Sequence, residues 1–343
     1  MNDSGKAASP YFHGQASVAG VMRHVLYALA PGILAAIWVL GWGVLIQCLL
    51  AVIFALVLEA AVLRLRNFPV KTTLQDGTAL VTALLFALAV TPLAPWWLSL
   101  TGIFFAIVIA KHAYGGLGYN MFNPAMAGYV FVLLCFPVEM TAWPAARGVA
   151  DSTTGLADTL AVIFAGQLPA AGPDGISGAT PLDYMKSQLS AMAMISEIRT
   201  SPVFGTLAGK GWDLIALAWI AGGAWLLWRR VITWHMPVAF LATLFAISLP
   251  FYWYDNALYL SPLFNLFTGG TMLAAFFIIT DPVTASTTPK GRLVYAAGIA
   301  LLTYAIRTWG GYPDGIAFAV LIMNAAVPLI DGLTRPKVLG EKS

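Results

Sequence analysis

Long apolar runs, separated by short polar connections, dominate the chain. Ten of them lie at residues 25–40, 43–63, 78–92, 95–110, 123–140, 213–228, 236–254, 263–280, 293–308 and 315–331. A helix needs about 20 mostly apolar residues to cross a hydrocarbon core roughly 30 Å thick. Strands of a membrane barrel would alternate polar and apolar residues, whereas these runs are continuously apolar. The pattern therefore predicts about ten transmembrane helices.

The composition supports a membrane protein and excludes a soluble enzyme. Hydrophobic residues make up 59% of the 343 residues, and charged residues make up only 10%. Soluble proteins carry about 25% charged residues, so 18 basic and 15 acidic side chains are too few for a water-exposed surface of this size. We therefore expect an all-α polytopic membrane protein.

The basic residues predict how the spans are oriented. Thirteen Lys and Arg residues lie in one alternate set of connecting segments and termini, and five lie in the opposite set. Because short cytoplasmic segments carry an excess of Lys and Arg, both termini are predicted to be cytoplasmic. The loop at residues 141–212 is then periplasmic. It is longer than a structural connection needs, which indicates a functional loop, and residues 156–168 and 187–198 are each predicted to form a short amphipathic helix on the membrane surface.

Two halves of the chain resemble each other in the order of their short segments. The predicted parts are a cytoplasmic segment at 1–24, a first five-helix half at 25–140, the loop at 141–212, a second five-helix half at 213–331 and a tail at 332–343. The recurring pairs are Asp76-Gly77-Thr78 with Gly269-Gly270-Thr271, Thr91-Pro92 with Thr280-Asp281-Pro282, and Gly115-Gly116 with Gly310-Gly311, at offsets of 193, about 190 and 195 residues. Five spans separate equivalent segments, so the second copy is inverted relative to the first, as in the inverted repeats of transporters.

Three acidic residues near the spans are candidates for ion handling, because ionisable groups in membranes are costly unless they have a role. Glu59 lies late in the second run, where pairing with Arg64 or Arg66 is the simpler explanation. Asp76 and Asp281 lie at the chain breaks, where helix capping is the simpler explanation. Neither interpretation selects sodium over protons.

The most specific local pattern is Asp174-Gly175-Ile176-Ser177-Gly178-Ala179-Thr180-Pro181-Leu182 in the long loop. With it the chain resembles the family that contains the D subunit of the Rnf electron-transport complex and the B subunit of the sodium-pumping NADH:quinone reductase. The resemblance covers nearly the whole chain. It includes the segments at 76–82, 118–125 and 280–283, and the length and short N-terminal segment favour the Rnf type.

The resemblance implies that a flavin transferase joins FMN to the hydroxyl of Thr180 through a phosphodiester. Asp174, Ser177, Gly178 and Ala179 complete the pattern that the transferase would recognise. Small residues give the backbone access to another enzyme's active site, and Pro181 restricts the chain beside the acceptor. The alternative is a small-residue turn without chemistry.

The segment Asn120–Pro124 has two compatible interpretations. Asn123 before Pro124 is a good helix cap, with Pro at the first helical position. The family resemblance implies instead that Asn120, Asn123 and Pro124 contact a non-covalent riboflavin, whose carbonyls and ring nitrogens match amide side chains.

The resemblance implies a membrane subunit of a redox-driven ion-translocating complex in the bacterial inner membrane. It would carry electrons between ferredoxin- or NADH-linked partner subunits, coupled to Na⁺ or H⁺ transport, as a translocase-class component that is not catalytic alone. The sequence shows no catalytic residues, metal site or nucleic-acid-binding pattern. A small-solute secondary transporter or channel without a redox cofactor, and a passive scaffold for redox subunits, remain the alternatives.

Overall fold

The structure, a computed structural model, describes residues 17–149, 155–167 and 177–335. Its helices are α1 (Val18–Leu40), α2 (Trp42–Leu65), α3 (Val70–Leu74), α4 (Thr78–Ala89), α5 (Trp96–Phe104), α6 (Pro124–Cys135), α7 (Pro137–Thr141), α8 (Leu156–Ala165), α9 (Pro181–Ser190), α10 (Ile195–Ile198), α11 (Trp212–Trp228), α12 (His235–Tyr254), α13 (Pro262–Phe267), α14 (Thr271–Leu273), α15 (Pro289–Trp309) and α16 (Ile316–Thr334). Two π-helical segments, Phe105–His112 and Ala274–Ile278, continue α5 and α14. The strands β1 (Trp143–Pro144) and β2 (Ser177–Gly178) form one short antiparallel pair.

Four of the described helices are long and apolar enough to cross a membrane: α1, α2, α12 and α16. Shorter apolar helices of 10–17 residues include α4, α6, α11 and α5 with its π-helical continuation. The predicted all-α membrane architecture is therefore confirmed for the described residues. The count of ten spans and the placement of the long loop remain predictions.

Two of the predicted runs are interrupted rather than continuous. The run 263–280 is divided between α13 and α14 by Thr268, Gly269 and Gly270. The run 123–140 is divided at Phe136, whose φ of −133° and ψ of 58° are not helical. Pro137 explains the second break, since proline disfavours helical geometry in the residue before it. Apolar composition alone does not reveal such interruptions.

Glycine begins the short helix in each half. Gly77, with φ of 79°, precedes α4, and Gly269, with φ of 58°, precedes α14. Positive φ is costly for residues with a Cβ atom. A Cβ on Gly269 would also meet the carboxylate of Asp314. These glycines allow the chain to turn just before each helix, where a residue with a Cβ atom would be strained.

The helix contacts follow a similar order in the two halves. In the first half α2 packs against α3, α4 and α5, and in the second half α12 packs against α13, the π-helical continuation of α14 and α15. Across the halves, α1 packs against α11 and α6 packs against α16. The cores of both halves merge into one large apolar cluster.

The loop between α7 and α11 forms its own small core against the second half. Leu182, Met185 and Ile195 pack with Phe264 of α13 in this core. The predicted helix at 156–168 is confirmed as α8. The prediction of one helix at 187–198 is wrong, because α9 ends at Ser190 and Met192 adopts a φ of 65° before α10 begins. A non-glycine residue at positive φ ends a helix.

Candidate functional site

Thr180 is the N-cap of α9. Its backbone is extended, with φ of −62° and ψ of 157°, and Pro181 occupies the first helical position. The Thr180 Oγ1 accepts a hydrogen bond from the Asp183 backbone N–H at 3.1 Å. Threonine at the N-cap followed by proline is a favoured start for a helix. The predicted acceptor hydroxyl therefore has a fixed position at the end of a helix.

The residues before Thr180 are held by the short strand pair. Gly178 pairs with Trp143 and Ser177 pairs with Pro144. A Cβ on Gly178 would lie 2.9 Å from the Cα of Ala145, so a close backbone approach explains the glycine. Ala179 is exposed and Thr180 is partly exposed. Asp174, the first residue of the predicted pattern, lies outside the described residues.

The Asp183 carboxylate contacts the Thr180 hydroxyl directly. Thr180 Oγ1 donates to Asp183 Oδ2 at 2.5 Å, while it accepts from the Asp183 N–H. A hydroxyl has one proton and two lone pairs, so both bonds can form together. Burial raises the pKa of the Asp183 carboxyl above its usual range, and the like charge of Asp314 adds to this effect, while the bonds from Thr180 oppose it.

Lys186 attaches α9 to the end of α15. Its Nζ, which has three N–H bonds to donate, lies within hydrogen-bond distance of four carbonyl oxygens: those of Ile306 at 3.4 Å, Arg307 at 3.2 Å, Gly310 at 2.5 Å and Tyr312 at 2.8 Å. The last carbonyls of a helix lack intrahelical partners and carry partial negative charge. The Lys186 ammonium is therefore stabilised by these carbonyl oxygens. Burial has the opposite effect and lowers the pKa of Lys186 from its usual value.

Thr180 and Asp183 line a cavity of about 330 Å³, here named the Thr180 cavity. Its wall includes five aromatic residues: Tyr129, Trp143, Trp212, Trp219 and Tyr312. Ligand pockets of this size are mostly apolar, with a few placed polar groups. The cavity is therefore suited to a planar aromatic group attached nearby.

A buried arginine supports the wall of the Thr180 cavity. Arg307 Nη2 lies 3.1 Å from Asp314 Oδ1 and donates to Thr271 Oγ1 at 2.9 Å. Asp314 Oδ2 in turn accepts from the Gly270 N–H at 2.9 Å. Buried charges are stable only when they are paired and hydrogen-bonded. The network fixes the break before α14 next to the cavity.

A second cavity, of about 300 Å³, is lined by Asn120, Asn123 and Pro124 and is here named the Asn120 cavity. The first turns of α1 line this cavity, whereas Ala36 and Leu40 near the end of α1 line the Thr180 cavity. The two cavities therefore lie toward opposite ends of α1.

Equivalent positions of the two halves line the two cavities. Val18, Val21 and Val25 line the Asn120 cavity, and residues 194 positions later, Trp212, Ile215 and Trp219, line the Thr180 cavity.

The two amides of the Asn120 cavity differ in their hydrogen bonds. Asn123 caps α6, because its Oδ1 accepts from the Met126 N–H at 3.2 Å, with Pro124 following. The predicted cap is therefore confirmed. The Asn123 N–H also donates to Asn324 Oδ1 at 3.0 Å, which joins α6 to α16. Asn120 is buried, and its Oδ1 has no hydrogen-bond partner among the described residues.

Glu59 pairs with Lys111, so the expected pairing with Arg64 or Arg66 is wrong. Lys111 Nζ lies 2.7 Å from Glu59 Oε1 and donates to Thr78 Oγ1 at 3.0 Å. Glu59 and Lys111 are both almost completely buried. The π-helical segment after α5 turns Lys111 inward, toward α2 and the Asn120 cavity. Arg66 instead contacts His112, with Nη1 3.3 Å from its Nδ1.

Asp76 and Asp281 bind the backbone and hydroxyls close to them. Asp76 Oδ1 accepts from the Thr78 N–H at 2.7 Å and from the Thr78 hydroxyl at 2.6 Å. Asp281 accepts from the Val283 N–H at 3.3 Å and from the Thr284 hydroxyl at 2.7 Å, and it lines the Asn120 cavity. Both carboxylates therefore stabilise local turns. The predicted helix capping is wrong for Asp281, because no described helix begins beside it, and Asp76 lies one residue before Gly77, the N-cap of α4. A part in ion handling remains a prediction for both.

Comparison with known proteins agrees with the resemblance. The model of the NQR2, RnfD, RnfE family matches residues 6–340. The chain belongs to this family. It is 49% identical to the D subunit of the ion-translocating oxidoreductase complex of Citrobacter koseri, over 98% of this chain and 99% of that protein. The protein of the same name from Escherichia coli K12 is also 49% identical, over 98% of each chain.

The family resemblance pointed to Thr180 but not to the charged residues that surround the two cavities. Asp183, Lys111 and the pair of Arg307 with Asp314 were missed. The repeat could have identified Lys111 and Arg307 as equivalent residues, because they are 196 residues apart, close to the offset of the repeat. Each donates to the threonine that begins the short helix of its own half, Thr78 or Thr271.

Proposed function

We propose that this chain is the flavin-bearing membrane subunit of a redox-driven ion-translocating complex, with FMN joined to Thr180. The observation that carries the proposal is the hydroxyl of Thr180, at the N-cap of a helix and on the wall of an aromatic cavity. A phosphodiester at a helix N-terminus is stabilised by the positive end of the helix dipole. A bound flavin would supply one- and two-electron exchange.

The residues around Thr180 fit such a group. Ala179 is small and exposed, so a transferase has room beside the acceptor. The indole and phenol rings of the cavity offer apolar surface to an isoalloxazine ring. A covalent link holds the flavin at a high effective concentration, which matters on the periplasmic side, where a dissociated cofactor is diluted.

A riboflavin in the Asn120 cavity is the second part of the proposal. The Asn120 Oδ1, which has no partner among the described residues, supports it, because an unpartnered buried acceptor is costly and a flavin ring offers an N–H donor. The cavity also presents the Lys111 ammonium and the Thr78 hydroxyl. Asn123 already uses its amide for the cap, so its part is to position Pro124 and the start of α6.

Replacing Asn120 with leucine is expected to weaken riboflavin binding about tenfold, since one buried hydrogen bond contributes roughly 1 kcal/mol or more. Fluorescence quenching of riboflavin titrated into the purified chain measures this. The control is Asn256→Leu, which changes an amide outside the Asn120 cavity. Equal affinities of the wild type and Asn120→Leu would contradict this assignment.

The proposal also includes the arrangement of the chain in the membrane. The chain forms two inverted five-helix halves in a bacterial inner membrane, with both termini in the cytoplasm and the long loop in the periplasm. The paired helix contacts of the halves and the equivalent lining of the two cavities support the repeat. Discontinuous helices at matching places are typical of transporters whose binding sites lie between repeats. Transport of Na⁺ or H⁺ would be coupled to electron transfer if reduction of the flavin changed the affinity of a site between the two halves for that cation.

The ion-handling candidates differ in what they offer a cation. Glu59 Oε2 is buried and has no hydrogen-bond partner among the described residues. Both oxygens of Asp281 accept bonds, and Asp76 binds Thr78. We therefore place Glu59 first among the three for an ion-handling role.

The names of the relatives support a place within a larger assembly. Each of those proteins is named as the D subunit of an ion-translocating oxidoreductase complex. The partners proposed for this chain are other Rnf-type membrane subunits, iron–sulfur and flavin subunits linked to ferredoxin or NADH, and a flavin transferase during maturation.

Ion uptake by membrane vesicles that contain the whole complex tests the proposed function. We expect Thr180→Val to abolish uptake driven by the electron donor, because it removes the acceptor hydroxyl. Thr200→Val, a change at an exposed threonine of the same loop, is the control and should transport normally. Undiminished redox-driven uptake by Thr180→Val would contradict a role for this flavin, and solute transport without any electron donor would favour the transporter alternative.

A further inference from the structure

We propose that Asp183 is the base that accepts the hydroxyl proton of Thr180 when FMN is joined to that residue, an inference that rests on the proposed function. General bases act within hydrogen-bond distance of the proton that they remove. The Thr180 hydroxyl already donates to Asp183 Oδ2 at 2.5 Å. The acceptor and its base would then come from the same turn of α9.

The bond changes balance without a further reactant beyond a flavin dinucleotide. FAD supplies the FMN group, and a transferase with Mg²⁺ would hold it. A new bond forms between Thr180 Oγ1 and the FMN phosphorus, and the bond from that phosphorus to the bridging oxygen breaks. AMP leaves with the electron pair, and the Thr180 proton passes to Asp183.

The surroundings of Asp183 favour its protonated form after the transfer. Burial raises the pKa of its carboxyl, and the phosphodiester adds a negative charge beside it. A like charge nearby disfavours ionisation. The reaction therefore replaces one carboxylate by one phosphodiester anion, and the net charge at the start of α9 does not change.

A purely structural role for Asp183 is the competing explanation. Threonine at the N-cap with an acidic residue three positions later forms a capping box, in which the carboxylate binds the N-cap backbone N–H. An asparagine at 183 can still accept that bond, but it cannot take a proton. Asp183→Asn therefore separates the two roles.

The test follows FMN transfer to the full-length chain in membranes from a host without the transferase. Purified transferase, FAD and Mg²⁺ are added, and the modified fraction is measured against time by peptide mass spectrometry. We expect Asp183→Asn to be modified roughly 100-fold more slowly at neutral pH, a typical loss for a general base. Asp183→Glu, which keeps a carboxylate, should be faster than Asp183→Asn.

The pH dependence gives a readout that a capping role would not change. Asp183 accepts a proton only when it is ionised, so the wild-type rate should fall as the pH drops through its raised pKa. The ratio of the wild-type rate to the Asp183→Asn rate should then approach one in acid. Equal rates at neutral pH, or equally slow Glu and Asn variants, would overturn the inference. A wild-type chain that takes up no FMN would overturn the proposed function as well.

Discussion

Replacing Thr180 with valine is expected to remove the proposed covalent flavin completely. Valine has nearly the same shape as threonine but no hydroxyl, so no phosphodiester can form at position 180. The lost N-cap hydrogen bond costs about 1 kcal/mol, which is too little to unfold a chain with a core of this extent. The effect should therefore be on the cofactor and not on the fold.

Ultraviolet fluorescence of the denatured band on a gel measures this loss in protein from cells that contain the transferase. Thr180→Ser keeps a hydroxyl and should stay fluorescent, and Thr200→Val should match the wild type. Peptide mass spectrometry of the fragment around residue 180 should find the FMN adduct. A fluorescent Thr180→Val band would place the flavin on another residue, and a dark wild-type band would contradict covalent attachment.

Removing the Glu59 carboxylate is expected to destabilise the protein by about 3–5 kcal/mol, the usual cost of breaking a buried ion pair. Glu59→Ala leaves the Lys111 ammonium buried with the Thr78 hydroxyl as its other contact, since Lys111 is only 2% exposed. A buried charge without a counter-charge is far less stable than a buried pair. Thermal unfolding of the detergent-purified chain measures the change.

A double-variant cycle separates the ion pair from simple loss of packing. Glu59→Ala together with Lys111→Met should be more stable than Glu59→Ala alone, because the unpaired ammonium is gone. Glu197→Ala, at an exposed position of the loop, is the control and should have little effect. If Glu59→Ala unfolds like the wild type, the two groups do not stabilise each other.

Apolar length was enough to predict the membrane class, but not the shape of every helix. Continuous apolar runs correctly predicted α1, α2, α12 and α16. The predicted and observed ends of α2, α12 and α16 agree to within three residues, whereas α1 begins seven residues before its predicted start. The run 263–280 was predicted as one span, although Gly269 breaks it. The break at Gly269 depends on its positive φ and on the close approach of Asp314. Neither can be inferred from the hydrophobicity of the run.

The candidate site was predictable where its chemistry is local. The family pattern correctly pointed to Thr180 as a residue of the candidate site, but the start of α9 and the contact with Asp183 were not predicted. Thr180 followed by Pro181 is a local helix-start pattern that could have indicated both. The partner of Glu59 could not be predicted, because Lys111 is 52 residues away and comes into contact only through the packing of α2 with the π-helical segment. Long-range ion pairs depend on helix rotation, which a single sequence does not specify.

The four carbonyl contacts of Lys186 have a consequence for the proposed flavin site. Lys186 lies six residues after Thr180, the N-cap of α9. Its contacts bind α9 to the last turn of α15 and to the residues that follow it. A tilt of α15 is therefore expected to move α9 and Thr180 with it. If FMN is joined to Thr180 as proposed, a conformational change that moves the second half would also alter the distance between this flavin and its redox partners, so electron transfer and ion translocation would be geometrically linked.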